Sequence, residues 1–190
     1  MKFEHFIQRS GEEKVKEFKY FTTKVHSKFS TNRKETISSY FRKAGMKIGG
    51  SCNICCNIMT PEPYLIDIGN NVTIAGYVHF VTHDNSINKV CPNKSDFFGG
   101  IKIGDDCFIG QGSLILYGVT LAPRIIVAAG SVVTRSFKES RIIIGGNPAR
   151  KIGTWDELKL KGDTNGLYVS EMTYNEKLKY ICESTSLVCR

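Results

Sequence analysis

The sequence predicts an all-β solenoid, a coil of short flat segments joined at regular corners, with helical appendages at both ends. Three observations carry this reading. From Ile103 onward, aliphatic residues recur every six positions, at Ile103, Ile109, Ile115, Leu121, Val127 and Val133. A period of six fits neither an amphipathic helix nor one alternating strand, so it describes flat segments separated by evenly placed corners. Ile68, Ile74 and Phe80 keep the same spacing earlier in the chain. Four positions past the ladder residues stand Val72, Val78, Cys107, Ser113, Val119, Ile125 and Ser131, mostly small or β-branched, as residues turned inward at tight corners should be. Each inward aliphatic contributes roughly 1.5–3 kcal/mol on burial, so the core is a narrow column that grows with every coil.

The elements follow in order. In residues 1–41, Lys14, Lys16, Lys19, Lys24, Lys28, Arg33 and Lys34 interleave with Val15, Phe18, Phe21, Val25 and Phe29 at spacings of three and four, which predicts an amphipathic basic helix. Such a helix packs against the solenoid or a neighbouring subunit, or lies on an anionic membrane surface. The solenoid is expected over residues 42–152. Its first coil is irregular: Ile48 and Ile54 stand two residues out of phase with Ile68, and Pro61 and Pro63 lie where the phase slips. From Phe80 to Ile103 the separation is not a multiple of six, so residues 84–100 leave the coil as a projecting loop, rich in Asn, Ser and Lys. Gly104 and Gly110 follow two ladder positions, where a tight turn is expected to need free backbone dihedrals. Thr154-Trp155-Asp156-Glu157 matches a capping box and opens a helical extension over 153–190.

With 190 residues and 41% hydrophobic content, the chain fits one soluble globular unit with appendages. No apolar run approaches the roughly 20 residues that span a bilayer, and Met1-Lys2-Phe3-Glu4 leads into no signal-peptide hydrophobic region. The expected location is the cytoplasm. Seven cysteines form no obvious disulfide framework. Cys52 and Cys55 have a CxxC spacing, but no second pair completes four zinc ligands, and small buried residues of an early coil are the preferred account. No metal is expected. The net charge of +8 is dispersed and accompanied by no nucleic-acid-binding motif, so no nucleic-acid partner is expected.

Several segments together resemble the hexapeptide-repeat acyltransferases: Ile66-Asp67-Ile68-Gly69-Asn70-Asn71-Val72, Thr82-His83-Asp84, Ile103-Gly104-Asp105-Asp106-Cys107-Phe108-Ile109-Gly110, Ala129-Gly130-Ser131-Val132-Val133-Thr134 and Gly146-Asn147-Pro148-Ala149-Arg150. Within that family, Pro63-Tyr64-Leu65 and Thr82-His83-Asp84 look most like the bacterial O-acetyltransferases that decorate capsular or lipopolysaccharide sugars. The resemblance implies a left-handed parallel β-helix, a homotrimer with each site between two subunits, acetyl-CoA as donor and a sugar or glycan hydroxyl as acceptor.

His83 stands where the regular coil gives way to the loop, and it matches the family's catalytic position; an imidazole is suited to accept a hydroxyl proton near neutral pH. The group that orients it is open: Asp84 if the chain bends there, otherwise Asp96 or a backbone carbonyl. The resemblance carries donor contacts onto Gln111, Ala129, Thr134, Arg135, Pro148 and Arg150, with the two arginines meeting phosphates. Two other classes stay open. A small-molecule or antibiotic acetyltransferase would share scaffold and histidine, and a non-enzymatic scaffold would need neither His83 nor the arginines.

Overall fold

The computed structural model describes residues 2–185, with side chains from Lys14 onward, and divides into two compact units, residues 1–152 and 153–190. The first unit opens with helices α1 (Lys2–Ser27) and α2 (Arg33–Lys43). The coils follow as β1 (Lys47–Ile48), β2 (Asn53–Ile54), β3 (Ile66–Ile68), β4 (Thr73–Ile74) and β5 (His79–Phe80). After an excursion containing β6 (His83–Asp84) and β7 (Phe97–Phe98) come β8 (Ile101–Ile103), β9 (Phe108–Ile109), β10 (Leu114–Ile115), β11 (Thr120–Leu121), β12 (Ile126–Val127), β13 (Val132–Val133), β14 (Ile142–Gly145) and β15 (Arg150–Thr154).

Each coil visits three sheets in turn. The first sheet has the order β1-β3-β8-β11, the second β15-β14-β12-β9-β4-β2 and the third β13-β10-β5. Pairing is parallel and in register with the ladder: Ile103 lies beside Leu121, Ile109 beside Val127 and Ile115 beside Val133, each pair 18 residues apart. All six are exposed by 1% or less, so the sequence period is the period of the core. Ile68 pairs with Ile103, 35 residues on, which is one coil plus an excursion of 17 residues. Ile48 pairs with Ile68, 20 residues on, so the first coil carries two extra residues.

The corner residues are buried as expected, and their polar atoms are satisfied. Ser113 and Ser131 hydroxyls both donate to the Ala128 carbonyl, at 3.1 and 2.6 Å, and the Cys107 thiol donates to the Ala122 carbonyl at 3.3 Å. Cys52 and Cys56 also turn inward while Cys55 is exposed, so the CxxC pair diverges rather than converging on a metal. Burial pushes the Cys52, Cys56 and Cys107 thiols up from their ordinary range.

The glycine reading needs correction. Positive φ falls three residues past the ladder, on Ser51, Asn71, Tyr77, Asp106 and Arg124 and on Gly112, Gly118 and Gly130, and not on Gly69, Gly104 or Gly110. Those glycines are needed for close approach instead. A Cβ on Gly104 would stand 2.5 Å from the Pro123 nitrogen of the next coil, and one on Gly110 would stand 2.5 Å from the Ala129 nitrogen. At the left-handed corners, side-chain amides and carboxylates stack: Asn71 Nδ2 donates to Asp106 Oδ1 at 2.9 Å, and the Asn70 backbone N–H donates to Asp105 Oδ1 at 2.7 Å.

The N-terminal segment holds two helices where one was expected. Asn32 caps α2 by accepting from the Glu35 N–H at 3.1 Å, and Ile37 and Phe41 of α2 join the core above the first coil. Helix α1 docks through Tyr20, whose ring lies 5.8 Å from that of Tyr40 and 5.7 Å from that of Phe41. Burial pushes the Tyr20 phenol up to about 12. The apolar stripe is therefore turned the other way. Val15, Phe18, Phe21, Val25 and Phe29 are all exposed, Phe29 by 84%. No helix among the described residues is long and apolar enough to cross a membrane.

The second unit contains α3 (Trp155–Asn165) and α4 (Tyr174–Glu183), each opened by a complete capping box, Thr154 with Glu157 and Thr173 with Glu176. Cys189 lies outside the described residues.

Candidate active site

The projecting segment is tied at its mouth. β6 and β7 pair antiparallel, His83 opposite Phe98 and Asp84 opposite Phe97, so the excursion begins and ends as a two-stranded ribbon. The Phe98 ring lies 5.8 Å from the His83 ring, and Phe97 stacks on Tyr117 at 6.3 Å. Thr82, one residue earlier, is still a buried inward position. His83 thus emerges at the edge of the coil with its side chain about one-third exposed, at 32%.

The carboxylate against it is Glu62. Glu62 Oε2 lies 2.9 Å from His83 Nδ1 and accepts a second bond from the Thr82 hydroxyl at 2.6 Å. Thr82 spends its one proton on Glu62, so the contact at 2.7 Å between the Thr60 and Thr82 hydroxyls has Thr60 as donor. Thr60 Oγ1 in turn accepts the Glu62 backbone N–H at 3.2 Å. The chain of bonds runs Thr60 to Thr82 to Glu62 to His83. An ionised carboxylate only accepts, so in the neutral ring the proton sits on Nδ1 and the lone pair on Nε2. That tautomer can take a proton from a hydroxyl.

Asp84 does not face the ring nitrogen. Its Oδ1 accepts the Ser86 backbone N–H at 2.8 Å, and its Oδ2 lies 3.5 Å from the Tyr117 hydroxyl. The Ser86 backbone bond is the main reason its carboxyl is held below the usual range. Asp84 shapes the ribbon, and the carboxylate on the ring nitrogen is that of Glu62. Neither sequence alternative, Asp96 nor a backbone carbonyl, holds Nδ1. Glu62 reaches the ring from the turn that precedes β3, where the Thr60 hydroxyl also meets that of Thr82.

The donor-contact candidates fall on two corners. Gln111 and Ala129 share the corner between the second and third sheets, where the Gly130 N–H donates to the Gln111 carbonyl at 2.8 Å. The Gly146–Arg150 segment joins them, since the Val132 N–H donates to the Gly146 carbonyl at 2.9 Å and the Ala149 N–H to the Val132 carbonyl at 2.8 Å. Pro148 and Arg150 are exposed beside this edge. Cβ atoms on Gly112 and Gly130 would meet nothing within 4 Å, so the edge borders open space. Thr134 and Arg135 stand one face away, at the corner between the third and first sheets. Continuing the register of β5, β10 and β13 by two residues stacks Arg135 with Tyr117 and Thr82 there. The Arg135 guanidinium lies over the Phe137 ring at 5.3 Å. His83, Thr134 and Arg135 thus share one edge, and Gln111, Ala129, Pro148 and Arg150 another.

Comparison with known proteins agrees with this architecture. Residues 100–135 match the family model described as the hexapeptide repeat of succinyl-transferase. Protein CapG of Staphylococcus aureus is 42% identical over 146 residues, covering 74% of this chain and 84% of that protein. Galactoside O-acetyltransferase of Escherichia coli is 28% identical over 97 residues, covering 50% of this chain and 47% of that protein. Among solved structures, a hexapeptide-repeat-containing acetyltransferase from Vibrio cholerae O1 biovar eltor, complexed with acetyl coenzyme A, superimposes with a TM-score of 0.52 at 24% identity, over 76% of this chain and 90% of that one. By the stacked six-residue repeat and by these matches, the chain belongs to the hexapeptide-repeat acetyltransferases.

Proposed function

We propose that the protein is an acetyl-CoA-dependent O-acetyltransferase that modifies a hydroxyl of a sugar or glycan in surface polysaccharide synthesis, with His83 as general base. The observation that carries this reading is the Glu62 carboxylate on His83 Nδ1 at 2.9 Å, which leaves Nε2 free to work on a hydroxyl. Acetyl-CoA would supply an activated thioester carbonyl. Nε2 accepts the hydroxyl proton as the acceptor oxygen attacks that carbonyl, and returns the proton to the departing sulfur; an N–H of the coil edge stabilises the developing oxyanion. No covalent enzyme intermediate and no metal is required.

The open edge at Gln111, Ala129, Gly130 and Gly146 suits an extended pantetheine arm, which needs backbone hydrogen bonds and no charge. Arg150 and Arg135 would meet phosphates, with Pro148 beside the adenine. Because Gln111, Ala129 and Arg150 lie one face away from His83, a site shared by two copies brings the halves together. This supports a homotrimer of left-handed coils. Free thiols on the six described cysteines fit a reducing, cytoplasmic setting.

The outward stripe of α1 supports a further contact. Val15, Phe18, Phe21 and Val25 of α1, with Phe29 just past its end, and the neighbouring Lys14 and Lys28 suit peripheral binding to an anionic membrane surface such as the inner membrane. Co-sedimentation with phosphatidylserine-containing vesicles should be lost in the Phe18→Ser, Phe21→Ser variant; equal sedimentation of both proteins would rule the contact out.

The direct test of the reaction is His83→Asn. Acetyl transfer from acetyl-CoA to surface polysaccharide precursors should fall roughly 10²–10⁴-fold, the worth of a positioned general base, with acetyl-CoA affinity nearly unchanged. Near-normal turnover in this variant would overturn the mechanism.

A further inference from the structure

A second concavity lies between the helical pair and the first coil. It has a volume of about 640 Å³, and Lys16 and Lys19 of α1 and Lys43 in the last turn of α2 stand on its wall, above a floor that includes Phe41, Met46 and Met59. No Asp or Glu is among its lining residues. Its size is that of a small-molecule site.

The lysines have unequal claims on an ordinary explanation. Lys43 complements the carbonyl end of α2, a common place for a cation. Lys16 and Lys19 lie in the middle of α1, three residues apart and hence on one face, where the helix dipole gives no such reason. Their position is held by the packing described above: the Tyr40 hydroxyl donates to the Lys16 carbonyl at 3.1 Å, and Tyr20 wedges against Tyr40 and Phe41. Three exposed lysines around one concavity raise the local concentration of anions.

The concavity also borders the chemistry. Thr60, Pro61 and Pro63 form part of its wall, and Glu62 within the same turn places its carboxylate on His83. A molecule anchored among the lysines therefore shares a wall with that turn. We infer that this cavity binds the phosphate or pyrophosphate of the acceptor, so that the substrate is a phosphorylated sugar such as a sugar phosphate or a nucleoside diphosphate sugar. The acceptor role rests on the function proposed above, whereas anion binding by the three lysines stands without it.

Titration calorimetry with sodium pyrophosphate, run with saturating coenzyme A so that donor phosphate contacts are already filled, reads the site. Binding should weaken at least roughly tenfold in Lys19→Gln and in Lys43→Gln, and return in Lys19→Arg and Lys43→Arg, because charge and not shape is removed. Acetyl-CoA affinity should stay unchanged in all four. Absence of pyrophosphate binding to the unmodified protein, or equal binding by the Gln variants, would overturn the inference. Uridine diphosphate glucose and glucose 1-phosphate form the comparison arms: tighter binding of the first identifies a nucleoside diphosphate, and equal binding of the second identifies a monophosphate. Should coenzyme A itself fail to bind, the proposed transfer fails, while the dependence of pyrophosphate binding on Lys19 and Lys43 still decides the anion site.

Discussion

The Glu62 carboxylate on Nδ1 is what would make a histidine at a loop mouth a base with a fixed tautomer. Thr82 is 1% exposed and would be an orphaned hydroxyl inside the coil; instead it donates to Glu62 and accepts from Thr60. This anchors the carboxylate from behind while His83 meets it from the front. Glu62→Gln keeps the shape but offers the ring either an amide oxygen or an amide donor, so the tautomer is no longer dictated. Turnover should drop by roughly 10²-fold or more, as expected when a base is held in the wrong tautomer. Nitrogen chemical shifts of His83 provide the readout that a merely structural role would not move: the proton on Nδ1 in the unmodified protein, a mixture in Glu62→Gln. An unchanged nitrogen spectrum would remove Glu62 from the mechanism. The sequence places His83 at the break in the ladder, and the resemblance to the family, not the position alone, singles it out as the candidate base. Its partner was not legible, because Glu62 reaches His83 from the irregular turn between Pro61 and Pro63, where the six-residue period gives no register.

At the scale of the coil, the ladder was legible because its residues all face one narrow core, and a packing period leaves a sequence period. What sequence reasoning misread was the reason for glycine. The chain turns left-handed at Asn71, Asp106 and Arg124, whereas Gly69, Gly104 and Gly110 stand where the next coil's backbone passes too close for a Cβ. Conformation and clearance look alike in sequence, since both select glycine. They separate experimentally. Gly110→Ala must displace the Ala129 nitrogen and the Val127 carbonyl oxygen, which lie 2.5 and 2.6 Å from the added carbon, and backbone cannot yield as a side chain can. The expected cost is about 1–3 kcal/mol, as for overpacking elsewhere, read as a lower urea midpoint at unchanged slope. Gly76→Ala, whose added carbon meets nothing within 4 Å, is the control and should be close to neutral. Equal midpoints for both variants would show that clearance is not what the coil demands. The helix α1 is the opposite case: its amphipathic pattern was plain, but pattern alone does not say which face turns inward, and the tyrosine pair with α2 decided it.

At the scale of the molecule, the division of site residues between two edges sets a condition on assembly. His83 and Arg135 stand where the third sheet turns into the first, and Gln111 and Ala129 where the second turns into the third, so a full face separates them. In the proposed three-fold ring one edge of each copy would meet the other edge of its neighbour, and every site would draw His83 from one chain and Arg150 from the next. Two defective proteins should then repair each other. In His83→Asn the arginine edge is intact, and in Arg150→Ala the histidine edge is intact. Assembled randomly from equal amounts, about one quarter of all sites, one in each mixed ring, would pair an intact edge with an intact edge, by the chance of drawing each neighbour independently in a cyclic assembly. Co-expressed protein, assayed at acetyl-CoA concentrations below saturation, should recover about that fraction of the unmodified rate. Each variant alone should recover none of it. If each site were built within a single chain, every site in the mixture would carry one defect, and co-expression would give no more activity than the two variants assayed apart. That result would place donor and base on one copy and remove the functional reason for the trimer.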